Sequence, residues 1–373
     1  MALLFRLSAC FIMLTVTLLV LIRSPRKVVV PYLLLAMAIM ISVVIDAETL
    51  PHIAFSMLKS LVLGFPMLFI PLMINDYKKL TSVIVIMAYI CFVMGIPIGL
   101  LVAKKPYDMF YGYVMLAPLA VITAKQLYRP RLHDGLVIGI ILYLILQYGS
   151  RGPLFWWLGE AALLVLVNLN IRRKEHMRPG ALTAWLARGG LMAAVVAVAL
   201  VGPLLLWPKL SAPAPATAVS TAAPKVKPPP PSRTVALITS GRVVSHNAGR
   251  VHLYKEVLGM IAEHPLGMGL HGEMAELKKR HNYPNRYSHN FLLDLWVHFG
   301  IFGGTILMAL FGGTAIMFIK KNANPDLLLL FVISFTIGVL PLAASGTYLR
   351  QPGFWLFLSV CLTSSYRKKG ETA

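Results

Sequence analysis

The chain has 373 residues, of which 58% are hydrophobic and only 13% charged, with a mean hydropathy of +0.74. That balance excludes an ordinary soluble domain. The net charge of +21 does not make it a nucleic-acid binder, because much of it falls in short loops between apolar runs, where Lys and Arg set membrane topology. No basic helix with interleaved aromatics stands apart from those runs.

Apolar runs of about 18 to 22 residues recur, long enough to cross a bilayer as helices, and none alternates like a barrel strand. The expected fold is all-α and polytopic. About eleven spans are predicted, near 4–22, 28–45, 54–74, 81–103, 107–124, 134–149, 153–170, 184–207, 290–319, 326–345 and 349–365. No small-residue cleavage site follows the first run, so it reads as a retained span. Cys10, Cys91 and Cys361 all fall inside spans and read as small buried hydrophobes.

Basic clusters orient the bundle. Arg23, Arg26 and Lys27, then Lys78 and Lys79, then Lys125, Arg129 and Arg131, fall on one side. Arg172, Arg173, Lys174 and Arg178, then Lys320 and Lys321, then Arg367, Lys368 and Lys369, join them there. That side is cytoplasmic by the positive-inside rule. The opposite face receives the 46–52 loop, Ser150 and Arg151, the long 208–288 segment and Arg350. This sorting places the N-terminus outside.

The chain therefore divides into an N-terminal transmembrane bundle (1–207), one large outside loop (208–288) and C-terminal transmembrane helices (289–373). The loop has two parts. Residues 208–232 are rich in Pro and Ala, with Pro228 to Pro231 consecutive, a composition that builds no core and predicts a linker. Within 248–288, Leu253, Tyr254, Val257, Leu258 and Ile261 recur at helical spacing, with Lys255, Glu256 and Glu263 mainly opposite. His264-Pro265-Leu266-Gly267-Met268-Gly269 then breaks the helix, and a shorter polar helix is expected over 271–281. An amphipathic helix tethered between spans predicts a roof lying at the membrane surface.

Tyr287-Ser288-His289-Asn290 opens the next apolar run, which carries Gly300 and Gly303. A titratable ring at the mouth of a membrane helix is costly. His289 and Asn290 either cap the helix or place a base at a membrane-surface site. Asp294 is five residues on, about 140° around a helix, so it cannot face His289, but it could meet His298 at i+4. Arg151 lies in a short outside turn against the topogenic bias, with Gly152 and Pro153 at the head of the next helix. That combination suits an anion, phosphate above all. Arg250, Arg350, Lys104 and Lys105 add cations on the same side; each could equally meet anionic headgroups. Glu160, about 13 Å into its span, is expected to pair inside the bundle. A metal site finds little support: Asp46 and Glu48 are the one acidic pair of that kind, and no Cys/His cluster has zinc spacing.

His289-Asn290, nine residues, Gly300, two residues, Gly303 resembles the signature of the O-antigen ligase family of membrane glycosyltransferases. Ser150-Arg151-Gly152, Arg250 with Tyr254, and the 264–269 turn resemble the family's other marks. The likeness runs from about 130 to 365. It implies a GT-C-like fold of about 11–12 transmembrane helices in the bacterial inner membrane, its site facing the periplasm. It implies transfer of a glycan from undecaprenyl diphosphate to lipid A–core, with inversion and no metal or other cofactor. Under that resemblance Arg151 and Arg250 hold the diphosphate, His289 is the base, and Asn290, Arg350 and Tyr287 are possible additional site residues. The partners are the lipid-linked donor, the lipid A–core acceptor and membrane lipids. The related O-antigen polymerase, a small-solute transporter and a non-enzymatic assembly factor are the rival readings.

Overall fold

The computed structural model describes Thr15, Leu18, Ile22 and the ranges 64–74, 76–102, 109–128, 131–148, 152–174, 248–281, 288–322, 324–343 and 346–366. Every regular element among these residues is helical. In chain order they are α1 (Phe65–Met73), α2 (Tyr77–Val102), α3 (Met109–Tyr128), α4 (Leu132–Tyr148), α5 (Gly152–Lys174), α6 (Ala248–Glu263), α7 (Gly272–His281), α8 (Phe291–Lys321), α9 (Pro325–Gly338) and α10 (Pro352–Tyr366), with 3-10 turns at Leu340–Ala343 and Tyr348–Arg350. The expected spans 28–45 and 184–207, nearly all of 4–22 and the proline-rich 208–232 lie outside the described residues.

Three helical stretches are long and apolar enough to cross a membrane: Tyr77–Ile98, Phe291–Lys321 and Pro325–Ala343. Shorter apolar helices at Tyr111–Lys125, Leu132–Gln147, Gly152–Val167 and Pro352–Thr363 occupy the places expected for four further spans. Outward-facing Val83, Ile86, Met87, Ile90, Val93 and Met94 on α2 are exposed, the distribution of a helix whose solvent is lipid.

The described residues form two compact units. In the one from Ser82 to 174, α3 packs on α4 and α5, and its Tyr111, Met115, Leu119 and Ile122 are buried. Its buried Asp134 is neutralised by Lys125 at 3.1 Å, and Tyr89 also donates to it. Glu160 departs from expectation. Its side chain is buried, yet neither carboxylate oxygen has a hydrogen-bond partner among the described residues.

The other unit joins the residues up to Thr81 with those from 248 onward. Here α10 packs against α1, α8 and α9, and α6 and α7 pack against α8. The stripe on α6 is real but faces protein. Leu253, Val257, Met260 and Ile261 are buried with Leu293 and Val297 of α8, which spends the apolar face that was expected to lie on the bilayer. Leu258, assigned to that stripe, is instead exposed.

The largest departure from the sequence reading is α8, expected as one span over 290–319. A straight helix would hold residues 291 and 311 about 30 Å apart, yet the Phe291 and Phe311 rings are 6.2 Å apart. Trp296 Nε1 likewise donates to Thr305 Oγ1 at 3.1 Å. The backbone reverses at Gly300, with φ 74° and ψ 171°. So α8 is a hairpin: a short arm, 291–299, returns alongside a long arm, 301–321. The long arm, about 31 Å at helical rise, suffices to span by itself.

Candidate functional site

The His-Asn motif stands at the open end of the short arm and is pinned from both sides. Asn290 is extended (φ −145°) and caps the arm. Its Oδ1 accepts from Leu292 N at 3.0 Å and Leu293 N at 3.3 Å, satisfying amides that the first helical turn leaves without partners. Its Nδ2 donates to the Ala343 carbonyl at 3.2 Å, tying the motif to the end of the 3-10 turn that follows α9. Ser288 is buried, accepts from Asn290 N at 3.1 Å and donates to Asp294. Between these anchors His289 adopts left-handed φ of 56° and stays half-buried. A non-glycine residue in that region costs on the order of 1–3 kcal/mol and persists only where its surroundings over-determine it. Asn290 is thus the cap, and His289 immediately precedes it.

At the arm's other end, the turn after α6 stitches the break in α8. With Gly300 in a glycine-only conformation, the helical bond from Ile301 N to Val297 O cannot form. Ile301 N donates instead to Pro265 O at 3.0 Å, Val297 O accepts from Met268 N at 2.7 Å, and His298 O accepts from Gly269 N at 3.1 Å. The backbones are nearly in contact. A Cβ on Gly300 would lie 2.4 Å from Pro265 O, and one on Gly267 (φ 94°) would lie 2.5 Å from Gly300 N. The Pro-Leu-Gly-Met-Gly turn and Gly300 are therefore two halves of one joint. Gly303 is under milder constraint: an added Cβ would meet only Phe299 Cβ at 3.2 Å.

Beneath the motif lies a buried polar cluster. His298 Nε2 is 3.0 Å from Glu273 Oε2, and His298 Nδ1 is 3.0 Å from the Tyr348 hydroxyl. His271 Nδ1 is 4.0 Å from Glu273 Oε1. Burial pushes the Glu273 carboxyl up, but the His298 charge, the hydrogen bond to it and His271 outweigh burial, and the net direction is down, toward the anion. Burial raises the Tyr348 hydroxyl well above its ordinary range, as do the Asp294 and Glu273 charges, so it stays protonated. On the outer face, Arg280 pairs with both Glu263 and Glu276, and His281 with Glu256, clamping α7 onto α6.

Of the residues nominated from sequence, His289 and Asn290 are in place as described. Arg250 falls in the first turn of α6 and Arg350 ends the 3-10 turn after Tyr348, in both cases with only the backbone described. Arg151, Tyr287, Asp46, Glu48, Lys104 and Lys105 lie outside the described residues. The anticipated Asp294–His298 pairing gives way to Asp294–Ser288 and His298–Glu273. The cluster of His271, Glu273, His298 and Tyr348 was not foreseen. Its one sequence signal was a His-Gly-Glu triplet just after a glycine turn, at the start of a segment expected as a short polar helix.

Residues 179–308 match the family model described as O-antigen ligase. That stretch takes in α6, the glycine turn, α7, the His-Asn motif and the Gly300 joint. No curated protein and no solved structure matches the chain.

Proposed function

Taking its place in the O-antigen ligase family over residues 179–308 as premise, we propose that this membrane protein transfers a glycan from undecaprenyl diphosphate to a sugar hydroxyl of lipid A–core. The reaction runs at the periplasmic face of the bacterial inner membrane. The acceptor oxygen attacks the anomeric carbon from the face opposite the diphosphate. The carbon–oxygen bond to phosphate breaks, and undecaprenyl diphosphate leaves with the electron pair. His289 takes the hydroxyl proton, a role that suits imidazole near neutral pH. The negative charge growing on the leaving group calls for fixed cations. Arg151 and Arg250 are assigned that part on sequence grounds, with Asn290, Arg350 and Tyr287 as neighbours. No metal is assigned to the transfer step.

The observation that supports this reading best is the backbone at His289. A strained, half-exposed histidine, fixed between a buried serine and a doubly employed asparagine, suits a reacting group better than a helix end. The test is expression in a strain lacking its own ligase, followed by lipopolysaccharide gels. Restored polymer-bearing lipopolysaccharide supports the proposal. Altered chain length without new attachment would make the chain a polymerase, the second activity its family accommodates.

A further inference from the structure

We propose that His271, Glu273 and His298 bind a divalent transition-metal ion of zinc's class. The ion's role is structural: it staples the glycine turn and α7 to the short arm that presents His289. One ligand atom from each residue lies within 4.8 Å of the others, and all three side chains are at most 3% exposed. The donor set is two imidazole nitrogens and a carboxylate oxygen. That set suits zinc and disfavours magnesium or calcium, which take oxygen.

One pair of donors is already at binding separation, and the set as a whole, now within 4.8 Å, must close to about 3.3 Å. Two ligands about 2.0–2.1 Å from a tetrahedral zinc stand about 3.3 Å apart, and His298 Nε2 and Glu273 Oε2 are already at 3.0 Å. The His271 and His298 rings are 5.7 Å apart and inclined at 75°, so their nitrogens can converge on one point. His271 is held in left-handed φ of 62°, a strained conformation that places its ring in the cluster. The outer partner that a metal-bound histidine needs is also present: Tyr348 meets His298 Nδ1 at 3.0 Å and would fix ring orientation and tautomer. Asp294, one helical turn before His298, shares its face. Among the described residues its buried Oδ2 has no partner in hydrogen-bond geometry, although the Thr347 hydroxyl interacts with the carboxylate. It is a candidate for a fourth donor, with water the alternative. Because His289 is not a ligand, the ion acts on folding rather than on the transfer step, and the inference stands apart from the proposed reaction.

The test uses the full chain, purified in detergent through a tag free of histidine and in chelator-free buffer. Elemental analysis should find about one zinc per chain, and Glu273→Gln should lose it. Stripping with dipicolinate should lower the melting temperature, and added zinc chloride should restore it. Tyr348→Phe keeps all three ligands, so it covers the case in which Glu273→Gln fails to fold; it should need about 10- to 100-fold more zinc for the same recovery. A wild-type chain without zinc, whose melting is unmoved by added zinc, would overturn the proposal and leave a His–Glu hydrogen-bonded pair. Zinc retained at full stoichiometry by a folded Glu273→Gln chain would overturn it equally, as would Tyr348→Phe recovering at the wild-type zinc concentration.

Discussion

Gly300→Ala is the sharpest structural test of the joint that carries the motif. At φ 74° and ψ 171° any side chain is strained, at a cost of about 1–3 kcal/mol. The new methyl would also press on Pro265 O at 2.4 Å and on Leu266 C at 2.6 Å. Those are backbone atoms and cannot rotate away, so the turn must shift. The shift endangers the three hydrogen bonds that bridge the helix break, each worth about 1 kcal/mol. The sum is about 2–6 kcal/mol, or a fall on the order of 10 °C in melting temperature. Gly312→Ala is the control. It lies on the long arm with nothing within 4 Å of an added Cβ, and alanine is preferred in a helix by about 1 kcal/mol, so it should melt no lower than wild type. The assay is thermal melting in detergent with glycan transfer measured in parallel. If Gly300→Ala melts with Gly312→Ala and transfers normally, the joint is not what positions His289.

Arg151→Ala and Arg250→Ala should each slow transfer about 30- to 1000-fold, the cost of about 2–4 kcal/mol of lost transition-state contact. Arg→Lys should rescue poorly, because an ammonium lacks the planar fork; near-normal rates in the lysine variants would remove the diphosphate role. Transfer should survive omission of Mg²⁺ and Mn²⁺ in buffer that keeps zinc, whereas loss restored by either ion would bring Asp46 and Glu48 into the mechanism. The clamp between α6 and α7 should respond to acid. The Arg280 hydrogen bond to Glu263, and the His281 hydrogen bond to Glu256, hold those carboxyls below their ordinary range. A lowered folded-state pKa gives stability that is full above the unfolded value and lost as pH falls through the folded one. Hydrogen exchange in α7 should therefore quicken as pH drops below the carboxylate range, after correction for intrinsic rates, and Glu263→Gln should show less of that response.

The length of the apolar runs located most of the described helices, because a bilayer fixes how long a spanning helix must be, and 3.6-residue spacing located α6. It misjudged what α6 faces, since Leu253 and Val257 look the same whether they meet acyl chains or Leu293 and Val297. It also could not see the hairpin. Residues 291–319 are apolar but for Asp294, His298 and two threonines, and the reversal rests on one glycine whose partner, Gly267, is far away in sequence. The motif His289-Asn290 was legible because its residue types are costly where they stand. The cluster of His271, Glu273 and His298 was not, because its members come together only once the glycine turn docks on the break at Gly300. Asp294 illustrates the same limit. Helical geometry allowed a contact with His298 at i+4, but Ser288, just before the cap, reached the carboxylate from outside the helix.

The proposed proton transfer by His289 is tested by measuring donor binding and glycan transfer side by side for wild type and His289→Ala. Removing the base while leaving the cations should keep affinity for the undecaprenyl-diphosphate donor within a few-fold, while transfer to lipid A–core falls by about 100- to 10,000-fold. A folded His289→Ala chain that transfers glycan at near wild-type rate would contradict the account and make His289 a residue of the helix end alone.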